Sequence, residues 1–177
     1  MIGFIDVLLR GLILCAQAVA LGGVVFALVV LGPAVRVCPD LGPLRERTFL
    51  LVALGAATIA LAQALALIVQ LKALAGTGAW PLADVSETAF FRIGIARMVM
   101  SVGAVAGVFL RRVWPARAFG TVAVVACALA LGILSAGTSH AAARLEGRLL
   151  LYLLDVLHQV AASVWIGGLF HLLLTAF

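Results

Sequence analysis

Residues 119–138, FGTVAVVACALALGILSAGT, contain no Asp, Glu, Lys, Arg or His, and they are long enough to cross a bilayer as one helix. A spanning helix needs about 20 consecutive apolar residues, because hydrocarbon offers its backbone no outside hydrogen-bond partner. Four further apolar stretches of sufficient length surround it, at approximately 7–32, 48–74, 91–110 and 149–174. Turn-forming residues separate them. Gly32-Pro33 is expected to end the first, with Pro39, Gly42 and Pro43 keeping its connection irregular, and Gly76-Thr77-Gly78 to end the second. Trp114-Pro115 separates the third from the fourth, and Trp80 and Trp114 fall near the predicted interfaces, where indoles concentrate. The expectation is an all-α integral membrane protein, a single membrane domain over residues 1–177 built as a bundle of about five transmembrane helices.

Composition agrees and excludes other classes. Hydrophobic residues make up 66% of the chain and charged residues 11%, with a mean hydropathy of +1.28, more apolar surface than a water-soluble domain can hide. Eleven arginines and Lys72 give a net charge of +5, but they are scattered through short connections. That pattern suits lipid headgroups and membrane anchoring, and it is not a nucleic-acid patch. The first segment is too long and continuous for a signal-peptide core, so it is expected to be a retained helix. Cys15, Cys38 and Cys127 are widely spaced without Cys-x-x-Cys, which supports neither a thiolate metal site nor a disulfide framework. No nucleotide-binding loop, nucleophile elbow or zinc-protease helix is present, and no enzymatic activity is expected.

Arginine placement predicts orientation. The connections after the first and third segments hold Arg36, Arg45, Arg47, Arg111, Arg112 and Arg117, whereas the other two hold Arg144 and Arg148, with Lys72 and Arg92 at their edges. Cytoplasmic loops attract the excess, so the N-terminus is expected outside, although Arg10 opposes this.

The chemistry-bearing residues lie around the connection between the fourth and fifth segments. Ser139-His140-Ala141 is followed by Asp155-x-x-His158 and then by Trp165-x-Gly167-Gly168-Leu169. Ionisable groups are costly in hydrocarbon, so a spanning helix that keeps them usually employs them. This arrangement resembles the copper resistance D family of bacterial inner-membrane proteins. There a Gly-His-Ala-like element closes one helix, and the next carries an acid or amide, a His three residues later, and Trp-x-Gly-Gly-Leu. Here Ser139 stands in place of the glycine, and the resemblance covers residues 135–170. It implies an inner-membrane protein that binds and moves copper, in import or tolerance, with a small periplasmic copper-binding protein as partner. Family members continue through further helices, so the chain resembles the N-terminal part of such a protein or a short form of it.

Helical phase sharpens the expected site. At ~1.5 Å per residue, His158 falls about 12–14 Å below the start of its helix. With ~100° per residue, Asp155, His158, Ala162, Trp165 and Leu169 form a stripe expected to face the bundle, with Trp165 as a packing wedge and His171 on the opposite side near the inner surface. Gly167 and Gly168 leave room for a neighbouring helix. An antiparallel hairpin would bring His140 toward this face, with Asp155 orienting the His158 imidazole. On the third segment, Arg97 and Met100 share a face beside Gly94, Ser101 and Ala104, with Met98 about a quarter turn away. Arg97 is expected to pair with Asp155, since either charge buried alone is costly. Met98 and Met100 are read as packing residues or as thioether ligands that, with imidazole, suit Cu(I). His140 is read as a ligand or as a solvated interfacial side chain.

Two other classes stay open. One is a b-type haem electron carrier, with a single haem between His140 and His158. The other is a structural or assembly subunit whose polar residues only pin helices together.

Overall fold

The computed structural model describes residues 2–75, 82–138 and 148–176, and every regular element among them is helical. Five helices are long and apolar enough to cross a membrane: Gly3–Val37, Pro39–Ala73, Ala89–Val113, Phe119–Ala136 and Leu149–Thr175. The chain is an all-α, multi-pass membrane bundle.

The first span does not stop at Gly32-Pro33. Helix α1 (Ile2–Val25) passes through a π-helical turn (Phe26–Val30) and continues as α2 (Leu31–Val37). Proline lacks an N–H, and its ring crowds the carbonyl four residues back, so an interior proline needs a local loosening of the ladder. The wider turn just before Pro33 supplies it: Leu31 N–H reaches the Phe26 carbonyl, five residues back. Arg45 Nε donates to the Ala27 carbonyl within the same turn at 3.3 Å.

A short 3-10 turn (Pro39–Leu41) leads into α3 (Gly42–Ala75). Gly76-Thr77-Gly78, expected to end this helix, and Trp80 lie outside the described residues. A one-turn helix α4 (Leu82–Glu87), for which no segment was expected, precedes α5 (Ala89–Val113). Thr88 caps α5 by accepting the Phe91 N–H on its hydroxyl at 3.2 Å. Trp114 ends α5, and α6 (Phe119–Ala136) and α7 (Arg148–Ala176) complete the chain.

Helices α1, α3, α5 and α6 form a ring in that order, closed by contact between α6 and α1. Helix α7 lies outside the ring against α1 and, less extensively, α6. Burial follows. In the most apolar window, 61% of the first span is buried against 6% of the last, so α1 is the axis of the fold and α7 its edge. The interior consists of two apolar clusters. One joins Val24, Ala27, Phe49, Val52, Val108, Val124 and Ala128, and the other Ile13, Ala16, Ala20, Ile59, Ala62 and Leu131. Lipid tails are as apolar as these side chains, so what holds the helices together is close van der Waals fit among small residues.

The two ends of the bundle differ in chemistry. At the end where α5 turns into α6, Arg45, Glu46, Arg111, Arg112 and Arg117 line one hollow. Arg111 pairs with Glu46, and its guanidinium lies 3.6 Å from the Phe49 ring centroid, fastening α5 to α3. Asp6, Arg10 and Thr138 line a hollow that belongs to the opposite end.

A polar chamber as the candidate functional site

Polar and small residues recur every fourth position along α7: Asp155, Gln159, Ser163, Gly167 and His171. This stripe turns toward the bundle, with Ser163, Gly167 and His171 buried and Asp155 and Gln159 half-buried. A helix flanked by lipid lays its large apolar side chains outward and its small and polar ones against protein. The tightest crossing pairs Ala18-x-x-x-Gly22 of α1 with Ser163-x-x-x-Gly167 of α7. A Cβ on Gly22 would meet the Ser163 carbonyl oxygen at 2.5 Å and Gly167 Cα at 2.6 Å, so both glycines are required for backbones this close. One turn beyond, His171 is 1% exposed, stacks on Phe26 and donates from Nε2 to the Val19 carbonyl at 3.0 Å. Gly23 makes the space for its ring.

Toward the Thr138 end the interior becomes polar. Gln17 on α1 is 1% exposed, accepts from the Ser135 hydroxyl of α6 and donates to Gln159 of α7 at 3.4 Å. These bonds join α1, α6 and α7 next to a half-open cavity of about 150 Å³ that α3 and α5 also line. Ile13, Gln63, Ala66, Arg97, Ser135, Thr138 and Gln159 line it, with Asp6 and Arg10 paired to each other at 2.8 Å. Arg97 is 6% exposed, and its Nε has no hydrogen-bond partner among the described residues. Buried Ser101, one turn along α5, likewise has an unpartnered hydroxyl.

The expected site residues are distributed differently from the sequence reading. Gly94, Arg97, Ser101 and Ala104 do form the buried face of α5. The stripe expected to face inward along α7 does not: His158, Trp165 and Leu169 are exposed, Trp165 by 71%. The phase is shifted because the inner face follows the four-residue repeat from Asp155, whereas the Trp-x-Gly-Gly-Leu element straddles both faces. Trp165 is therefore not a packing wedge, and open space surrounds Gly168. His158 has no hydrogen bond or ion pair with a described residue, Asp155 included.

Arg97 and Asp155 do not form the expected ion pair. Each points inward, and Arg97 Nε and Asp155 Oδ2 are both buried without a partner among the described residues. The antiparallel hairpin offered too simple a geometry for this pair, because α7 packs chiefly on α1. His171, expected on the side of α7 opposite the site, is buried against α1. Met100 packs against the cluster containing Ile13 and Leu131, and Met98 is half-buried. Ser139, His140 and Ala141 lie outside the described residues, although Thr138, two positions before His140 in sequence, lines the chamber. Among the described residues no three His, Cys, Asp or Glu side chains gather into a metal-binding group, and the three cysteines are free.

Sequence reasoning passed over Gln17, Gln63, Ser135 and Gln159. Their signal was available: each is a hydrogen-bonding side chain within a stretch otherwise able to span a membrane. Fold and interior define a multi-pass helical membrane protein with a polar chamber opening toward one end. Compared with protein-family models, curated proteins and solved structures, the chain finds no match.

Proposed function

We propose that this chain is a copper-handling protein of the bacterial inner membrane, binding copper and moving it across the bilayer. The observation that carries this reading is the order and spacing of Ser139-His140-Ala141, Asp155-x-x-His158 and Trp165-x-Gly167-Gly168-Leu169, which resemble the copper resistance D family. The polar chamber supports it, since Thr138, immediately before this element, lines a hydrogen-bonding interior. In this reading His140 is the first imidazole that copper meets, and Met98 of α5 is the candidate thioether. His158 presents its imidazole on the outer face of α7, so it ligates only together with groups brought to that face.

Orientation belongs to the same proposal. Arg45, Arg111, Arg112 and Arg117 share one end of the bundle, which we assign to the cytoplasm, leaving the N-terminus and the His140 end periplasmic. A periplasmic copper-binding protein is then the partner from which the His140 end would receive the metal. Metal analysis of the detergent-purified protein tests the reading. Copper should co-purify and be lost in His140→Ala; a Soret absorption band would point to the haem class, and copper-free folded protein to a structural role.

A further inference from the structure

Arg97 poses a problem of charge that the fold leaves unsolved. The residue is only 6% exposed, inside a membrane-spanning bundle. A buried guanidinium is expected to find an anion, because the loss of hydration is offset only by a close opposite charge and good hydrogen bonds. Among the described residues Arg97 has neither, and its Nε–H has no acceptor. Asp6 is the only acid among the described residues that line the chamber, and it is bound to Arg10. Asp155 does not line the chamber and makes no ion pair with Arg97. Among the described residues the chamber is thus lined by two arginines and one aspartate, with Arg97 given no counter-charge by any of them.

The neutral groups around Arg97 are suited to donate. Gln63 is 3% exposed, lines the chamber and makes no hydrogen bond to a described residue; its Nε2 lies against Gly94, one turn from Arg97, where a Cβ would approach it to 3.0 Å. Gln159 accepts from Gln17 on its Oε1, leaving its amide N–H groups available. The Ser135 hydroxyl proton is committed to Gln17, which fixes the wall and not the ligand. A buried cation and two amide donors lining one space of about 150 Å³ match a small, singly charged acceptor.

We propose that the chamber is a binding site for a small monovalent anion, a halide or the carboxylate of a small organic acid, held by Arg97 with the amides of Gln63 and Gln159 beside it. The anion supplies the counter-charge that the described residues do not give Arg97 and joins α5, α3 and α7 through one ligand. None of its groups is a copper ligand in the reading above, so the anion site can be tested without copper.

The test uses the purified 177-residue chain in sodium sulfate, whose anion is divalent and carries no carboxylate. Thermal unfolding is followed while sodium chloride, bromide, formate or acetate replaces sulfate at constant ionic strength, and crystals grown with bromide are measured at its absorption edge. Saturable stabilisation by at least one of these anions is expected, with an anomalous peak beside Arg97 if halides are accepted. Selective stabilisation by formate or acetate would identify the carboxylate as the source. Arg97→Gln should abolish saturation. Gln63→Leu, which keeps the charge and protects the test against a misfolded Arg97 variant, should weaken it by roughly tenfold. Arg117→Gln, at the other end, should behave as wild type. No saturable effect of any of the four anions, or the same effect in wild type, Arg97→Gln and Gln63→Leu, would overturn the proposal.

Discussion

His171 and His158 are thirteen positions apart on one helix and have opposite environments. His171 is enclosed by Gly23, Phe26 and Phe170 and bonded to the Val19 carbonyl, so removing its ring leaves a cavity and removes a hydrogen bond between α7 and α1. His171→Ala should therefore destabilise the protein by about 2–3 kcal/mol, seen as a lower unfolding temperature in detergent. His158→Ala, on the exposed face, should leave that temperature unchanged. Equal behaviour of the two variants would contradict the assigned phase of α7. At this scale the sequence was only partly legible. Arg97, Ser101 and Gly94 could be placed on an inner face because small residues accompany the charge. The phase of α7 was misjudged because the Trp-x-Gly-Gly-Leu element outweighed the polar and small repeat that fixes the buried side.

Element boundaries were more accessible. Length and hydropathy suffice to identify five spans, because the thickness of hydrocarbon imposes the same requirement on each. The ends were harder, as Pro33 shows: a proline reads as a stop, yet the π-helical turn before it lets the first span run to Val37. Pairing between elements was hidden altogether. Nothing in the apolar periodicity states that α7 rests on α1, whereas Gly22 and Gly167 at their crossing are decisive once seen together. A side chain at Gly167 would collide with the Ala18 carbonyl, a backbone atom that cannot swing aside. Gly167→Val should thus separate the two helices and cost about 1–3 kcal/mol or more, whereas Gly168→Val should be tolerated. Similar unfolding curves for the two variants would mean that this crossing is not the close one.

For the whole molecule, the asymmetry between a ring of four helices and an outlying fifth places the polar chamber at one end and the arginine hollow at the other. If the arginine end is cytoplasmic, a membrane-impermeant thiol reagent applied from the periplasm should label Thr138→Cys but not Arg112→Cys in a background without Cys15, Cys38 and Cys127. The reverse pattern would invert the orientation and remove the periplasmic route to His140. The proposal of copper handling rests on residues 139–169, and anaerobic titration of the metal-free purified protein with Cu(I), read by X-ray absorption, tests it most directly. The account predicts saturable binding with imidazole nitrogen in the copper shell, lost in His140→Ala and kept in Arg117→Gln. A folded protein that takes up no copper, or binds it identically without His140, would contradict it.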